Sequence, residues 1–321
     1  MLNRRQRQMC IRDRLTPTCS NSETTNAAAT RHHTTPSPNE SPNPAAHPAP
    51  TATGTTAAGS VRGRAPAIQS DNDGDGLGFE SVGIVRHDGP MSELWQLGAL
   101  ELAEKIRTGD TSSREVLEAH IGRVEAVNPQ LNAIVRRLDD EARSAADAAD
   151  QAVADGAPLG PLHGVPCTVK ENIDLAGTPT TQGVPALADA VAPIDAPTVE
   201  RMRAAGAIPF ARTNLPDLGL RVHTDSTLHG LTLNPWNPNV TAGGSSGGEA
   251  SAIASGMSPI GLGNDIGGSL RNPAHCCGIA SIKPTAGVVP IASVVPPEDH
   301  LLAEIEMLGE GPMARHVADV R

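Results

Sequence analysis

GVPCTVKEN at residues 164–172 and DAPTVERMRAAGAIPFARTN at residues 195–214 carry the pattern that decides the fold. In the first, Val165, Cys167 and Val169 alternate with Pro166, Thr168 and Lys170. A period of two is that of a strand, and it puts Lys170 on the face opposite the valines. In the second, Asp195 followed by Pro197 predicts a helix with an acidic cap and an early proline, stopped at Gly206. Ala207–Arg212 then reads as the next strand. Strand, helix, strand is the order of a crossover within one sheet, so an α/β architecture is expected.

Downstream, a glycine-rich turn at Thr241–Gly248 leads into a small-residue helix over Glu249–Ser255. Ile260–Gly263 reads as a short buried strand that runs into a second glycine-rich turn, Asp265–Ser269, and Ile279–Lys283 as another strand. Upstream, three helices are predicted. The first covers Ser92–Thr108 and stops at Gly109. The second opens on a capping box, Ser112 with Glu115, carries the stripe Leu117, Ile121, Val124, and is ended by Asn128-Pro129. The third covers Asp139–Asp155 and meets Gly156. No internal repeat is present, and these helices read as packing elements.

The globular pattern starts near Met91. From Thr16 to about Gly59 the chain is mostly Thr, Ser, Pro, Ala, Asn and His, too poor in large apolar residues to offset its conformational entropy, so residues 1–90 are expected to be a disordered leader. Met1–Arg14 is basic, lacks the apolar core of a secretory signal, and resembles translated sequencing adapter, so its start is expected to be artefactual. No run approaches the roughly 18 apolar residues of a spanning helix. Lys plus Arg number 25 against 36 Asp plus Glu, a net charge of −11 without a basic block, which argues against a nucleic-acid partner. The five cysteines, Cys10, Cys19, Cys167, Cys276 and Cys277, show neither disulfide-framework nor zinc spacing and fit free thiols in a reducing cytoplasm. Adjacent Cys276 and Cys277 cannot share one metal with good geometry, even beside His275. With 1% aromatic residues and no Tyr, the core must rest on aliphatic side chains.

Three features carry chemistry, and each has a plain alternative. Gly243-Gly244-Ser245-Ser246-Gly247-Gly248 could be a flexible loop. Asp265-Ile266-Gly267-Gly268-Ser269 could be an ordinary turn, although consecutive glycines let backbone N–H groups converge, as an oxyanion requires. Lys170 on an inner strand could reach solvent, but if buried it must be neutral or paired. Together, in this order, they resemble the amidase signature family. The match lies in Gly164–Asn172, Gly243–Gly248 and Asp265–Arg271, supported by Thr180–Gly183, Ala207–Asn214, Asn234-Pro235-Trp236, Cys277–Ile279, Lys283–Thr285 and Gly311–Arg315.

The resemblance implies a mixed central β-sheet flanked by helices on both faces and a domain covering residues 91–321. It implies hydrolysis of a small-molecule carboxylic amide without metal or cofactor, with Ser269 as nucleophile, Ser245 as proton relay and Lys170 as base. The peptide before the relay serine, Gly244–Ser245, is cis in the family. The oxyanion falls to the N–H groups of Ile266, Gly267, Gly268 and Ser269, while Ser246, Asp265 and Arg271 orient the loops. A homodimer is one expected assembly. Family members run well past the Gly311–Arg315 motif, so the domain is expected to be incomplete at its C-terminus, and an inactive fragment is one alternative. Another is the glutaminase component of a tRNA-dependent amidotransferase, against which Ile266 and Glu249 lean. A third takes Gly243–Gly247 as the nucleophile elbow of an α/β-hydrolase, with Asp265 and His275 or His300 completing the triad; His163 and His223 could serve as catalytic histidines in another hydrolase, although surface or loop roles are commoner for them. Asn234–Asn239 is a poor strand to precede an elbow, and that reading leaves Lys170 unused.

Overall fold

The computed structural model describes residues 90–295 and 302–321. The leader read over residues 1–90 lies outside the described residues but for Pro90. A 3₁₀ turn, Pro90–Gln96, precedes α1 (Ala99–Thr108), α2 (Ser113–Leu131), β1 (Ile134–Arg137), α3 (Asp139–Ala154) and β2 (Pro166–Lys170). Helix α4 (Pro197–Ala204) crosses to β3 (Ile208–Thr213), and the short strands β4 (Asp225–Ser226) and β5 (Gly230–Leu231) pair as a ribbon. Then come α5 (Gly247–Ala254), β6 (Ile260–Asp265), α6 (Arg271–Cys277), β7 (Ala280–Ser281), α7 (Leu302–Met307), β8 (Gly309–Ala314) and α8 (Val317–Val320).

The main sheet runs β1-β3-β2-β6-β8-β7. Strands β3, β2 and β6 are mutually parallel, as the crossover predicts, while β1 and β8 lie antiparallel to their neighbours, so the sheet is mixed. The two faces of β2 and β6 differ in composition because side chains alternate along a strand. Val165, Cys167 and Ile260 pack with Leu102 and Ile106 of α1, and Val169 and Leu262 with Val199 of α4. Removing each such side chain from water stabilises the fold by roughly 1.5–3 kcal/mol. The other face of β6 carries Gly261 and Gly263. A Cβ at Gly261 would fall 1.8 Å from Glu249 Oε1, and one at Gly263 2.8 Å from Ser246 Oγ. The strand must be bare there for α5 and the loop before it to rest directly on the sheet. Helices therefore cover both faces.

Helix α2 begins as expected: Ser112 Oγ accepts the Glu115 N–H at 3.1 Å and Glu115 Oε2 accepts the Ser112 N–H at 2.8 Å. Leu117, Ile121 and Val124 are buried in one cluster with Phe210 of β3 and alanines of α3. Several boundaries differ from those expected: β6 runs two residues further, to Asp265, β7 shrinks to Ala280–Ser281, and three others follow from specific contacts. The first helix does not run from Ser92; it breaks at extended Gly98, where a Cβ would meet an Asp319 carboxylate oxygen at 2.7 Å. Asn128-Pro129 does not end α2, which continues to Leu131 and closes on left-handed Asn132. Proline is tolerated in that turn while the Asn128 side chain accepts the N–H groups of Ala133 and Ile134. The cap of α4 is Ala196, with Pro197 first in the helix; Asp195 instead accepts the Ala176 N–H and pairs with Arg203.

Candidate active site

The site forms at the carboxyl ends of the parallel strands, the usual crevice of such sheets. Lys170 is the last residue of β2 and is fully buried. Its Nζ lies 2.7 Å from Ser245 Oγ and 2.6 Å from Asn264 Oδ1. Burial pulls the Lys170 ammonium down to about 7, against the opposing pull of the Asp265, Glu249 and Glu310 carboxylates. A large fraction of the amine is thus neutral near pH 7, with a lone pair beside a serine hydroxyl. Such a pair can exchange a proton.

Ser245 stands in the loop before α5, and the Gly244–Ser245 peptide is cis. The loop is tied on all sides. Gly244 N–H donates to Asn272 Oδ1 at 3.1 Å, Gly247 N–H to Thr224 Oγ1 at 3.1 Å, and Thr224 Oγ1 to the Gly243 carbonyl at 2.9 Å. Ser246 links the two glycine loops: its N–H donates to the Ser269 carbonyl at 3.2 Å and its hydroxyl to the Asn264 carbonyl at 3.4 Å.

Asp265 organises the second loop. It accepts the N–H groups of Gly268 at 2.7 Å, Leu270 at 3.0 Å and Arg271 at 3.3 Å, and the Arg271 guanidinium at 3.0 and 2.9 Å. Burial pushes its carboxyl up, but these donors, Arg271 foremost, outweigh it and hold the group at about 2. Because the Gly268 N–H is engaged by Asp265, the N–H groups without an acceptor among the described residues are those of Ile266, Gly267 and Ser269. Ser269 is half-buried in this turn, and its hydroxyl makes no hydrogen bond among the described residues. Glu171, next to the lysine, turns away: it accepts from Thr181 Oγ1 and faces His229 Nε2, each at 2.6 Å.

Several participants carried no strong signal in sequence. Asn264 stands between a Gly-Leu-Gly run and the Asp265 loop and meets Lys170 only because β6 pairs with β2. Glu249, a carboxyl among small helix residues, is buried between Thr168 and Thr213; burial pushes it up to about 7. Burial does the same to Glu310 of β8. None of the weighed histidines has a hydrogen bond to Ser245 or Ser269 among the described residues: His163 Nε2 contacts the Ala149 carbonyl, His223 Nδ1 the Thr241 hydroxyl, His275 lies on α6, and His300 lies outside the described residues. No strand leads into Ser245, as a nucleophile elbow would need. Cys277 is buried against the Ala242 carbonyl, and among the described residues no group of three metal-ligating side chains gathers.

A mixed central sheet with helices on both faces is the α/β fold that the motifs implied. The sequence profile of the Amidase family matches residues 115–321, and the chain belongs to that family. It is 53% identical over 233 residues to an indoleacetamide hydrolase of Bradyrhizobium diazoefficiens, covering 72% of this chain and 44% of the relative. Lower identity, 40% over 187 residues, relates it to one of the subunits of a glutamyl-tRNA(Gln) amidotransferase from Synechococcus sp. (strain WH7803), covering 58% of this chain and 38% of that one. Among solved structures it is similar to a bacterial aryl acylamidase of the amidase signature enzymes, with TM-score 0.65 and 37% identity over 70% of this chain and 46% of the other. The chain thus spans less than half the length of these relatives. Among the described residues no helix is long and apolar enough to cross a membrane.

Proposed function

We propose that this chain carries the catalytic machinery of an amidase that converts a small carboxylic amide to carboxylate and ammonia or amine through an acyl-enzyme. Ser269 Oγ attacks the carbonyl carbon, its proton passes to Ser245, and the Ser245 proton passes to the neutral Lys170 amine. The N–H groups of Ile266, Gly267 and Ser269, with Gly268 if it releases Asp265, receive the oxyanion; each such donor is typically worth about 3 kcal/mol of barrier. Collapse of the tetrahedral intermediate breaks the C–N bond, and the leaving nitrogen takes back the proton by the same path. Water then attacks the ester carbon with the relay run again, which frees the carboxylate and Ser269. Ser246, Asp265 and Arg271 keep the two loops in register.

The observation that carries the reading is the fully buried Lys170–Ser245 contact at 2.7 Å. The 53% identical relative supports an arylacetamide as the first substrate to try. The match to an amidotransferase component favours a second reading, a glutaminase that works with partner proteins, which hydrolysis of free glutamine or copurification with those partners would support. A fluorophosphonate probe tests the chemistry without a known substrate. Labelling mapped to Ser269, lost in Ser269→Ala and strongly slowed in Lys170→Ala, is expected. Labelling at Ser245 that survives Ser269→Ala would overturn the assignment.

A further inference from the structure

Asn264 is the last residue but one of β6, beside the end of β2, and is all but buried. Its Oδ1 stands 2.6 Å from Lys170 Nζ, closer than the serine at 2.7 Å. Its Nδ2 donates to Asn172 Oδ1 at 3.0 Å, and Asn172 Nδ2 lies 3.5 Å from Asn264 Oδ1, so the two amides hold each other face to face. Asn172 follows Lys170 by two residues, in the turn after β2, so the amide of Asn264 is held both by its own strand and by the segment that carries the lysine. A neutral amine has two N–H donors and one lone pair, and an amide oxygen can only accept. When Oδ1 takes one N–H, rotation about the Cε–Nζ bond is restricted, and the lone pair is left for the serine side.

The acceptor is also uncharged. Lys170 already faces Asp265 at the end of β6, Glu249 from α5 and Glu310 from β8, all of which favour the ammonium, while Arg212 of β3 donates to the Lys170 carbonyl. A further carboxylate in contact would hold the amine protonated, and a protonated amine cannot accept the serine proton. We infer that Asn264 is a positioning residue for the base: its amide oxygen aims the Lys170 amine at Ser245 without adding charge that would keep that amine cationic. The inference rests on the reading of Lys170 as base.

The test is the rate of fluorophosphonate labelling of Ser269 in the full chain, followed from about pH 5 to about pH 10. Asn264→Asp keeps shape and acceptor but adds charge; near neutrality its rate should fall about tenfold and recover at the alkaline end, with the midpoint moved up by about one unit. Asn264→Leu keeps volume but removes the acceptor; its rate should fall roughly tenfold or more at every pH without alkaline recovery. A purely structural role would lower both alike with an unmoved midpoint, and that result, or an Asp profile superimposed on the parent, overturns the inference. Should the Leu variant fail to fold, the near-isosteric Asp variant decides alone. Lys170→Met separates the two levels. If it labels like the parent, the base assignment itself fails; if it is slow while both Asn264 variants match the parent, only the positioning role fails.

Discussion

The two faces of β2 and β6 are built from the same ten or so residues, yet they do different work. Toward α1 and α4 the strands present Val165, Cys167, Val169, Ile260 and Leu262, a surface whose only requirement is close packing. Toward α5 they present Thr168, Lys170, Gly261 and Gly263, and there a lysine is fully buried among carboxyl and amide groups. The contrast shows how a half-polar strand pattern yields a site. One face supplies the burial energy, and the other spends part of it on a desolvated amine and on glycines that bring the serine loop down onto the sheet.

Substitutions on the two faces should therefore separate chemistry from stability. Lys170→Met should slow Ser269 labelling the most, by roughly 10²–10⁴-fold, as expected for losing a general base. It should leave the urea midpoint unchanged or raised, because a costly buried amine is replaced by an apolar side chain of similar length. Leu262→Ala, on the opposite face, should show the reverse: a loss of about 2–5 kcal/mol in urea unfolding with labelling per folded molecule near the parent value. If labelling fell as far as in Lys170→Met, the two faces would not be separable. Gly261→Ala should cost about 1–3 kcal/mol by overpacking, since Glu249 must move, and should also slow labelling because α5 carries the serine loop with it.

Smaller effects should appear with pH. Lys170 accepts a proton only when neutral, so labelling should rise through a midpoint near 7 and fall away below it as the amine becomes cationic. A flat profile across that range would remove lysine from the proton path. Asp265 tests the loop alone. Its pKa in the fold, about 2, lies below the ordinary 3.8, so its ionised form contributes stability that is complete above about 3.8 and is lost as pH falls toward 2. The stability gap between parent and Asp265→Asn should therefore be full near neutrality and close in acid, as read from urea unfolding at several pH values.

The alternation around Val165–Lys170, the proline-led helix after Asp195 and the capping box at Ser112 were legible from residue order, because strand period, proline geometry and capping depend on neighbours a few positions apart. The catalytic candidates Lys170, Ser245 and Ser269 were legible only through spaced motifs, since nothing local distinguishes an activated serine from one in a turn. Tertiary contact decided the rest. Residue order could not say that the first helix starts afresh after Gly98, because Asp319, whose carboxylate accepts the Leu100 N–H there, arrives from the far end of the chain. Nor could it show that Asp265 engages the Gly268 N–H, that Glu249 is buried between two threonines, or that Asn264 touches the lysine. The lysine's state is the clearest case: a side chain that is cationic in water is held near its neutral form by the loss of water around it, and that loss exists only once β2, β6, β8 and α5 have come together.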